Sequence, residues 1–207
     1  MSAAVRRTLS EITSTCQKAA RGAGCPWGLA EEAGIAARVL AMHGLPGPET
    51  VARLLRTPRA CPCDGRVTAP ACGIAAAARL SDRIGALDGD ETTLEATAGT
   101  LLLAAPLLLE AAQGGGGFTL TCDGVTLACG PGGVQVAAAP GDWPSAAHRI
   151  TLRRSAPPDA AIPATWTSRE IDGESWQRLE ALAARTLVPD SDSSRAAGAG
   201  PGGADTD

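Results

Sequence analysis

The dipeptide Asp123-Gly124 is the feature that most restricts how this chain folds. It joins two segments in which side chains alternate in character, and an Asp-Gly turn of two residues matches the twist of paired antiparallel strands. Pairing around the turn sets apolar residues opposite one another: Cys122 and Val125, Leu120 and Leu127, Phe118 and Cys129. The sequence therefore predicts a hairpin with one buried face. We expect the thiols of Cys122 and Cys129 to be buried on that face, not opposite each other.

The first 88 residues follow a helical period instead. Thr8 and Glu11 have the spacing of a capping box, and the helix that they start is predicted to end at Gly22–Gly24. Further helices are predicted over residues 28–42, from Pro48 onward and over residues 73–86. Residues 58–70 are predicted to form a loop.

The period changes near residue 92. Besides the hairpin, we predict strands and two helices, the second capped by Asp172. The predicted strands are 93–98, 134–137, 149–153 and 164–166, and the predicted helices are 106–113 and 172–187. The fold class is α+β: a helical N-terminal half packed on a small antiparallel β-sheet, one C-terminal helix and a Gly-rich tail. We predict one domain over residues 1–189, helical over residues 1–88 and containing the hairpin within residues 92–189, and a disordered tail over residues 190–207.

Composition narrows the classes of function. The 18 basic and 22 acidic side chains give a net charge of −4, which argues against a nucleic-acid or membrane-surface partner. The N-terminal residues lack the apolar run of a signal peptide, and no apolar stretch is long enough to span a membrane. The odd count of seven cysteines is typical of cytoplasmic thiols, and a single lysine, Lys18, is typical of a GC-rich bacterium. We therefore expect a bacterial cytoplasmic protein without a membrane partner.

Three other patterns carry weaker signals. Cys61, Cys63 and Cys72, with Cys25 or His43, offer zinc ligands, but their spacing differs from that of structural zinc sites. A Cys–His nucleophile would need His43 or His148, and neither is specifically placed. Ala30, Gly34, Ile35 and Leu40 match the positions at which a DNA-binding helix-turn-helix has small or apolar residues. The segment has few basic residues to neutralise the phosphates of DNA, which argues against that function. We therefore expect no metal and no cofactor, and nucleic acid is not the favoured partner.

Residues 21–32 contain the largest local concentration of side chains suited to ligand binding or catalysis. Arg21, with the flexible backbone of Gly22 and Gly24 and a following helix N-terminus, suits a carboxylate or phosphate. We place Glu31 and Glu32 in the first turn of that helix, where either would hold an ammonium group or move a proton, with Glu32 as the inward member. The alternative is a structural corner stabilised by an Arg–Glu ion pair.

Two blocks carry a family resemblance. KAARGAG…WGLAEEAG (residues 18–34) and LVPDSDSSRAAGAGPGGADTD (residues 187–207) resemble the opening and closing blocks of a bacterial family of uncharacterised proteins with a domain of unknown function. The resemblance implies no activity. It does imply that the tail, with Ser194, Arg195, Gly198 and Gly200, is ordered and folded back on the domain.

Two functions remain open. In the first, the protein is a small-molecule enzyme of the lyase or cyclase type, doing metal-independent acid–base chemistry on an amino-acid-like substrate. Arg21 binds the anionic group, Glu32 or Glu31 moves the proton, and Arg195 closes over the site. In the second, it is a non-catalytic accessory or interaction protein whose helical half binds a partner enzyme, which the scarcity of His, Tyr and Lys favours. DNA binding is a distant third, and the oligomeric state is left open.

Overall fold

The computed structural model describes residues 3–56, 71–87, 91–95, 97–114, 116–136, 143–159 and 161–187. The α-helices in these ranges are α1 (Leu9–Gly22), α2 (Trp27–Met42), α3 (Gly47–Leu54), α4 (Gly73–Arg83), α5 (Ala104–Ala112) and α6 (Gly173–Ala183). Short 3₁₀ segments are Ile84–Ala86, Thr100–Leu103 and Ala184–Thr186. The strands are β1 (Val5–Thr8), β2 (Ala71–Cys72), β3 (Glu91–Leu94), β4 (Thr97–Ala98), β5 (Gly117–Cys122), β6 (Val125–Gly130), β7 (Gly133–Val136), β8 (Ala146–Ala147), β9 (Ile150–Ser155) and β10 (Ser168–Ile171).

The strands of the described residues form three sheets. The largest has five antiparallel strands in the order β3-β9-β5-β6-β7. A second has the order β2-β4-β8, with β2 and β4 parallel, and the third pairs β1 with β10. Because α1 to α3 precede all but one of these strands, the α+β class is confirmed. The division into one domain with a tail stays a prediction, since residues 188–207 lie outside the described residues.

The hairpin has the predicted register. Phe118 pairs with Cys129, Leu120 with Leu127, and Cys122 with Val125. One face is buried and the other, which carries Thr119, Thr121, Thr126 and Ala128, is partly exposed. Asp123 adopts the left-handed backbone (φ of 47°) that this turn requires. A local turn preference and an alternating pattern were therefore enough to fix the register.

Helix starts are capped by the side chains that the sequence predicts. Thr8 Oγ1 accepts from the Glu11 amide (3.3 Å), and the Glu11 carboxylate accepts from the Thr8 amide (2.8 Å), which completes the capping box. Asp172 Oδ2 accepts from the Ser175 amide (2.8 Å) at the start of α6. Both caps act within four residues, so sequence alone suffices to locate them.

Other boundaries differ from the predictions where distant residues decide them. The predicted strand 93–98 is divided between β3 and β4, which belong to different sheets. Residues 164–166 are not a strand; β10 follows them and pairs with β1, a strand that the local pattern does not reveal. The predicted single sheet is likewise wrong, since each sheet pairs segments far apart in sequence.

Some helix limits also shift. The helix predicted from residue 106 begins two residues earlier, as α5, after the 3₁₀ turn Thr100–Leu103, so Pro106 lies in its first turn, where proline is tolerated. Helix α3 begins at Gly47 rather than Pro48. Helices α4 and α6 end at Arg83 and Ala183, and a 3₁₀ turn continues each of them.

Helix α5 connects the helical half to the large sheet. It contacts α2 and α4 on one side and β5, β6 and β7 on the other. Leu107 of α5 is fully buried in the same hydrophobic core as Leu102, Phe118 and Leu127. No helix of the described residues is long and apolar enough to cross a membrane.

The hairpin thiols should resist modification in the folded protein. Cys122 and Cys129 have no exposed surface, and burial raises the pKa of Cys122 to about 12 and raises that of Cys129 as well. We expect a thiol reagent to leave both unlabelled in native protein, as judged by peptide mass spectrometry. In guanidinium all seven cysteines should react, and rapid native labelling of either hairpin thiol would contradict the register.

Asp123 should make the stability of the hairpin depend on pH. Its carboxylate accepts from the amides of Arg149 (2.8 Å) and His148 (3.1 Å), which lowers the pKa of Asp123. Because the pKa of Asp123 is lower in the folded state than in the unfolded chain (about 3.9), its carboxylate stabilises the folded protein at pH values above the unfolded-state pKa. This contribution to the free energy of unfolding is lost as the pH falls through the folded-state pKa. We expect urea unfolding of D123N to depend less on pH than wild type below about pH 4. Glu11 and Asp172 also have lowered pKa values, but they are present in both proteins and contribute equally to the pH dependence. Plots of unfolding free energy against pH that run parallel for D123N and wild type would therefore contradict this role of Asp123.

Candidate functional site

The corner between α1 and α2 holds the residues that the sequence singles out. Helix α1 ends at Gly22, and the Cys25 amide donates to the Ala20 carbonyl (2.9 Å), which closes the turn. Helix α2 begins at Trp27 after Pro26, and no side chain caps it. The amides of its first turn therefore give this corner the partial positive charge of a helix N-terminus.

Arg21 joins the end of α1 to the start of α2. Its Nη1 donates to the Cys25 carbonyl (2.5 Å), and its guanidinium carbon lies 4.9 Å from the centre of the Trp27 ring. A guanidinium at this distance interacts favourably with an indole face. The Trp27 side chain is still 64% exposed, which is unusual for the largest apolar residue type. Arg21 thus orients an aromatic surface and keeps further N–H donors for other partners.

A cleft of about 490 Å³ opens beside this corner. We call it the cationic cleft, and its walls come from α1, the α1–α2 turn and the 3₁₀ turn after α6. The lining residues are Ser14, Gln17, Lys18, Arg21, Gly22, Gly24, Trp27, Arg185 and Thr186. Three of them are cationic and none of those in the described residues is acidic. This concentration of positive charge occurs in a chain whose net charge is −4.

The cations of the cleft are available to a ligand. Lys18 and Arg185 have exposed side chains, and neither forms an ion pair or hydrogen bond with another residue in the described ranges. Arg21 is half-buried and has no carboxylate partner there. The corner is therefore not the Arg–Glu ion pair of the structural alternative.

The two glutamates occupy another part of α2. Because the helix begins at Trp27, Glu31 and Glu32 are its fifth and sixth residues, and the prediction that they lie in its first turn is wrong. Glu32 is the more buried of the two, as predicted. Burial raises the pKa of Glu32, and the negative charges of Asp82 on α4 and of Glu31 raise it further. Neither glutamate lines the cationic cleft, and their catalytic role stays a prediction.

The other predicted site and ligand residues line the cationic cleft, lie elsewhere in the fold or fall outside the described residues. Gly22 and Gly24 line the cationic cleft with Arg21, as the sequence suggests. Arg195 lies outside the described residues, as do Cys61 and Cys63 of the possible zinc set. Within the described ranges no three His, Cys, Asp or Glu side chains converge as metal ligands. His43 is buried, its Nδ1 lies 3.1 Å from the Ile162 carbonyl oxygen, and burial lowers its pKa.

Sequence reasoning missed Lys18 and Arg185 as members of the site. A signal for the first was present, since the polar residues Ser14, Gln17, Lys18 and Arg21 follow the i, i+3, i+4, i+7 spacing of one helix face. No local pattern could place Arg185 there, because its position depends on the packing of α6 against α1.

Comparison with known proteins gives a family match for a portion of the chain. Residues 7–100 match the model of a family described as a protein of unknown function (DUF3726). The match contains α1 to α4 and most of the cationic cleft but stops before the hairpin and Arg185. No curated protein and no solved structure matches the chain. The resemblance to an uncharacterised family is thus supported over the N-terminal half.

The glycines of the cleft should affect stability for different reasons. A Cβ at Gly22 would overlap the Leu182 carbonyl of α6, whereas one at Gly24 would meet nothing within 4 Å, although Gly24 has a positive φ of 96°. We expect G22A to cost about 2–3 kcal/mol of unfolding free energy through overpacking and G24A about 1–2 kcal/mol through backbone strain. Chemical denaturation measures both values.

Gly28 is the matched control, since a Cβ there meets nothing and its φ is ordinary. G28A should be neutral or stabilise by up to about 1 kcal/mol. A G22A protein as stable as wild type would show that α1 and α6 are not in close contact.

Proposed function

We propose that this protein binds a small anionic metabolite, carrying a phosphate or more than one carboxylate, in the cationic cleft. The observation that carries the proposal is the convergence of Lys18, Arg21 and Arg185 without a carboxylate among the described lining residues. Grouping like charges is unfavourable unless a counter-charge offsets the repulsion. An anionic ligand supplies that counter-charge.

The polar groups around the cleft suit such a ligand. Guanidinium groups form strong, directional hydrogen bonds with carboxylate and phosphate oxygens, and Lys18 adds a mobile ammonium group. The uncapped start of α2 adds its partial positive charge on the side of Trp27. Ser14 and Thr186, which line the cleft, donate their hydroxyl protons to the carbonyls of Glu11 and Ala183, so their oxygens can accept from a ligand hydroxyl. Gln17 adds a side-chain amide, which can donate to a ligand carbonyl. These groups recognise an anion with further hydroxyl or carbonyl oxygens.

The size of the cleft favours a metabolite over a macromolecule. Its volume of about 490 Å³ is within the range of about 300–1,000 Å³ that is typical of small-molecule sites. The net charge of −4 opposes long-range attraction of a nucleic acid. The proposal includes a bacterial cytoplasmic setting, which the buried thiols of Cys16, Cys122 and Cys129, none in a disulfide, support.

Binding without chemistry is the version that the geometry favours. No carboxyl, imidazole or thiol group is present among the described lining residues to move a proton or attack a substrate. The acid–base enzyme remains the second candidate because the raised pKa of Glu32 suits a general base. It requires the substrate to reach from the cationic cleft to Glu32. An accessory protein that senses or carries an anion needs only the cleft.

Anion binding can be measured with probes of known charge. We expect inorganic pyrophosphate or citrate to raise the melting temperature and to bind measurably in calorimetry at low salt. K18A and R185A should each weaken binding about tenfold, or ~1.4 kcal/mol, because each removes one charge and, among the described residues, no hydrogen bond or ion pair.

R38A is the matched control, since Arg38 is an exposed cation of α2 outside the cleft. It should bind like wild type, and so should E32Q, because Glu32 is not among the residues that line the cleft. Equal losses in R38A and K18A would mean non-specific charge attraction, and no binding of either probe by wild type would overturn the proposal. A reaction of a carboxylate- or phosphate-bearing substrate that wild type catalyses and E32Q does not, with binding intact in E32Q, would favour the enzyme.

A further inference from the structure

The second surface of interest is the free edge of β3. In the five-stranded sheet β3 pairs with β9 on one side, and no strand of the described residues pairs with its other side. An unpaired edge presents a row of backbone N–H and C=O groups. Four residues span about 13 Å at the usual rise of a strand. This is enough for three or four residues of an added strand.

A groove of about 290 Å³ lies along this edge. It contacts Thr92, Thr93, Leu94 and Glu95, which are consecutive. Because alternate side chains of a strand point to opposite faces, a groove on one face would contact every second residue. Three successive residues of β3, Thr92 to Leu94, line the groove, and Glu95 follows the end of the strand, so the groove is not confined to one face of the sheet and reaches the edge where the backbone groups lie.

Helix α4 forms the opposite wall. Ala76, Arg79, Leu80 and Arg83 line it, and Leu87 and Leu103 add apolar surface. Leu80 and Leu103 are almost fully buried and form the bottom of the groove, whereas Ala76, Leu87 and Leu94 are partly exposed and supply its accessible apolar surface. We call this the β3–α4 groove. A strand edge facing a helix with apolar surface between them is the geometry in which proteins bind an extended peptide as an additional strand.

The charges of the groove indicate which peptide it suits. Arg79 lies 3.6 Å from Glu95, and both side chains are more than half exposed, so this ion pair is weak. Arg83 is exposed and has no partner among the described residues. The groove therefore has one unpaired positive charge beside an apolar surface, which matches a carboxylate next to an apolar side chain.

From this arrangement we propose that the β3–α4 groove binds an extended peptide segment of a partner protein, in which apolar residues alternate with acidic ones. The backbone of the segment pairs with β3. Its apolar side chains contact the partly exposed Ala76, Leu87 and Leu94, and a carboxylate pairs with Arg83. The proposal is independent of anion binding in the cationic cleft, because the two sites share no residue.

A library of short random peptides displayed on phage tests this surface. Selection on wild-type protein should enrich peptides with alternating apolar and acidic residues. R83E should weaken these peptides at least about tenfold, whereas R38E, the same charge change at an exposed position outside the groove, should not. Melting temperatures of both variants show whether they are folded. Failure to enrich peptides, or equal binding by wild type and R83E, would overturn the proposal.

Backbone methylation of an enriched peptide tests strand pairing itself. Methylating a backbone nitrogen that donates to β3 removes a hydrogen bond, so affinity should fall at every second position. Losses that recur every three to four positions would indicate a bound helix and overturn strand addition. Sedimentation tests the other possible occupant of the groove, a second copy of this chain. A wild-type dimer that R83E dissociates would assign the groove to a second copy of this chain and overturn the peptide proposal.

Discussion

The close approach of α1 to its neighbouring helices is the contact on which the rest of the structure depends. A Cβ on Gly34 of α2 would lie 2.7 Å from the Thr13 carbonyl oxygen of α1, and one on Gly22 of α1 would overlap the Leu182 carbonyl of α6. With four Trp, one Phe and no Tyr in 207 residues, bulky side chains cannot fill wide gaps between helices. Backbones that pack directly on one another leave fewer gaps, and dense packing stabilises the core. The ends of α1 and α6 are consequently held side by side.

This packing also creates the charge arrangement of the cationic cleft. Lys18 and Arg21 follow each other on one face of α1, and Arg185 comes from the turn after α6. The net charge of −4 describes the whole molecule, but a ligand responds to the charges within about a Debye length, ~10 Å at ordinary salt. An acidic protein can therefore carry a strongly cationic site. Net charge governs long-range attraction, and local geometry decides binding.

Sequence patterns were most informative where the interacting residues are close in the chain. The hairpin at Asp123-Gly124, the capping box of Thr8 and the cap by Asp172 were all predicted, since each depends on contacts within a few residues. The pairing of β1 with β10 was not, because its partners are 160 (Thr8 and Ser168) to 166 (Val5 and Ile171) residues apart. For the candidate site, Arg21, Gly22 and Gly24 were found from a local cluster of residue types. The placement of the glutamates failed because α2 begins at Trp27, so neither Glu31 nor Glu32 is in its first turn.

The sequence by itself determined the local elements: which segments are helices, where their caps lie and which face of the hairpin is buried. It could do so because backbone hydrogen bonding and the alternation of side chains act over short separations. Only the tertiary structure decided that Arg185 joins Lys18 and Arg21 and that, among the described strands, none pairs with the edge of β3 beside α4. Those outcomes depend on how closely whole helices approach and on the order of strands in a sheet. Both are set by the packing of many residues together, which no single segment of the chain encodes.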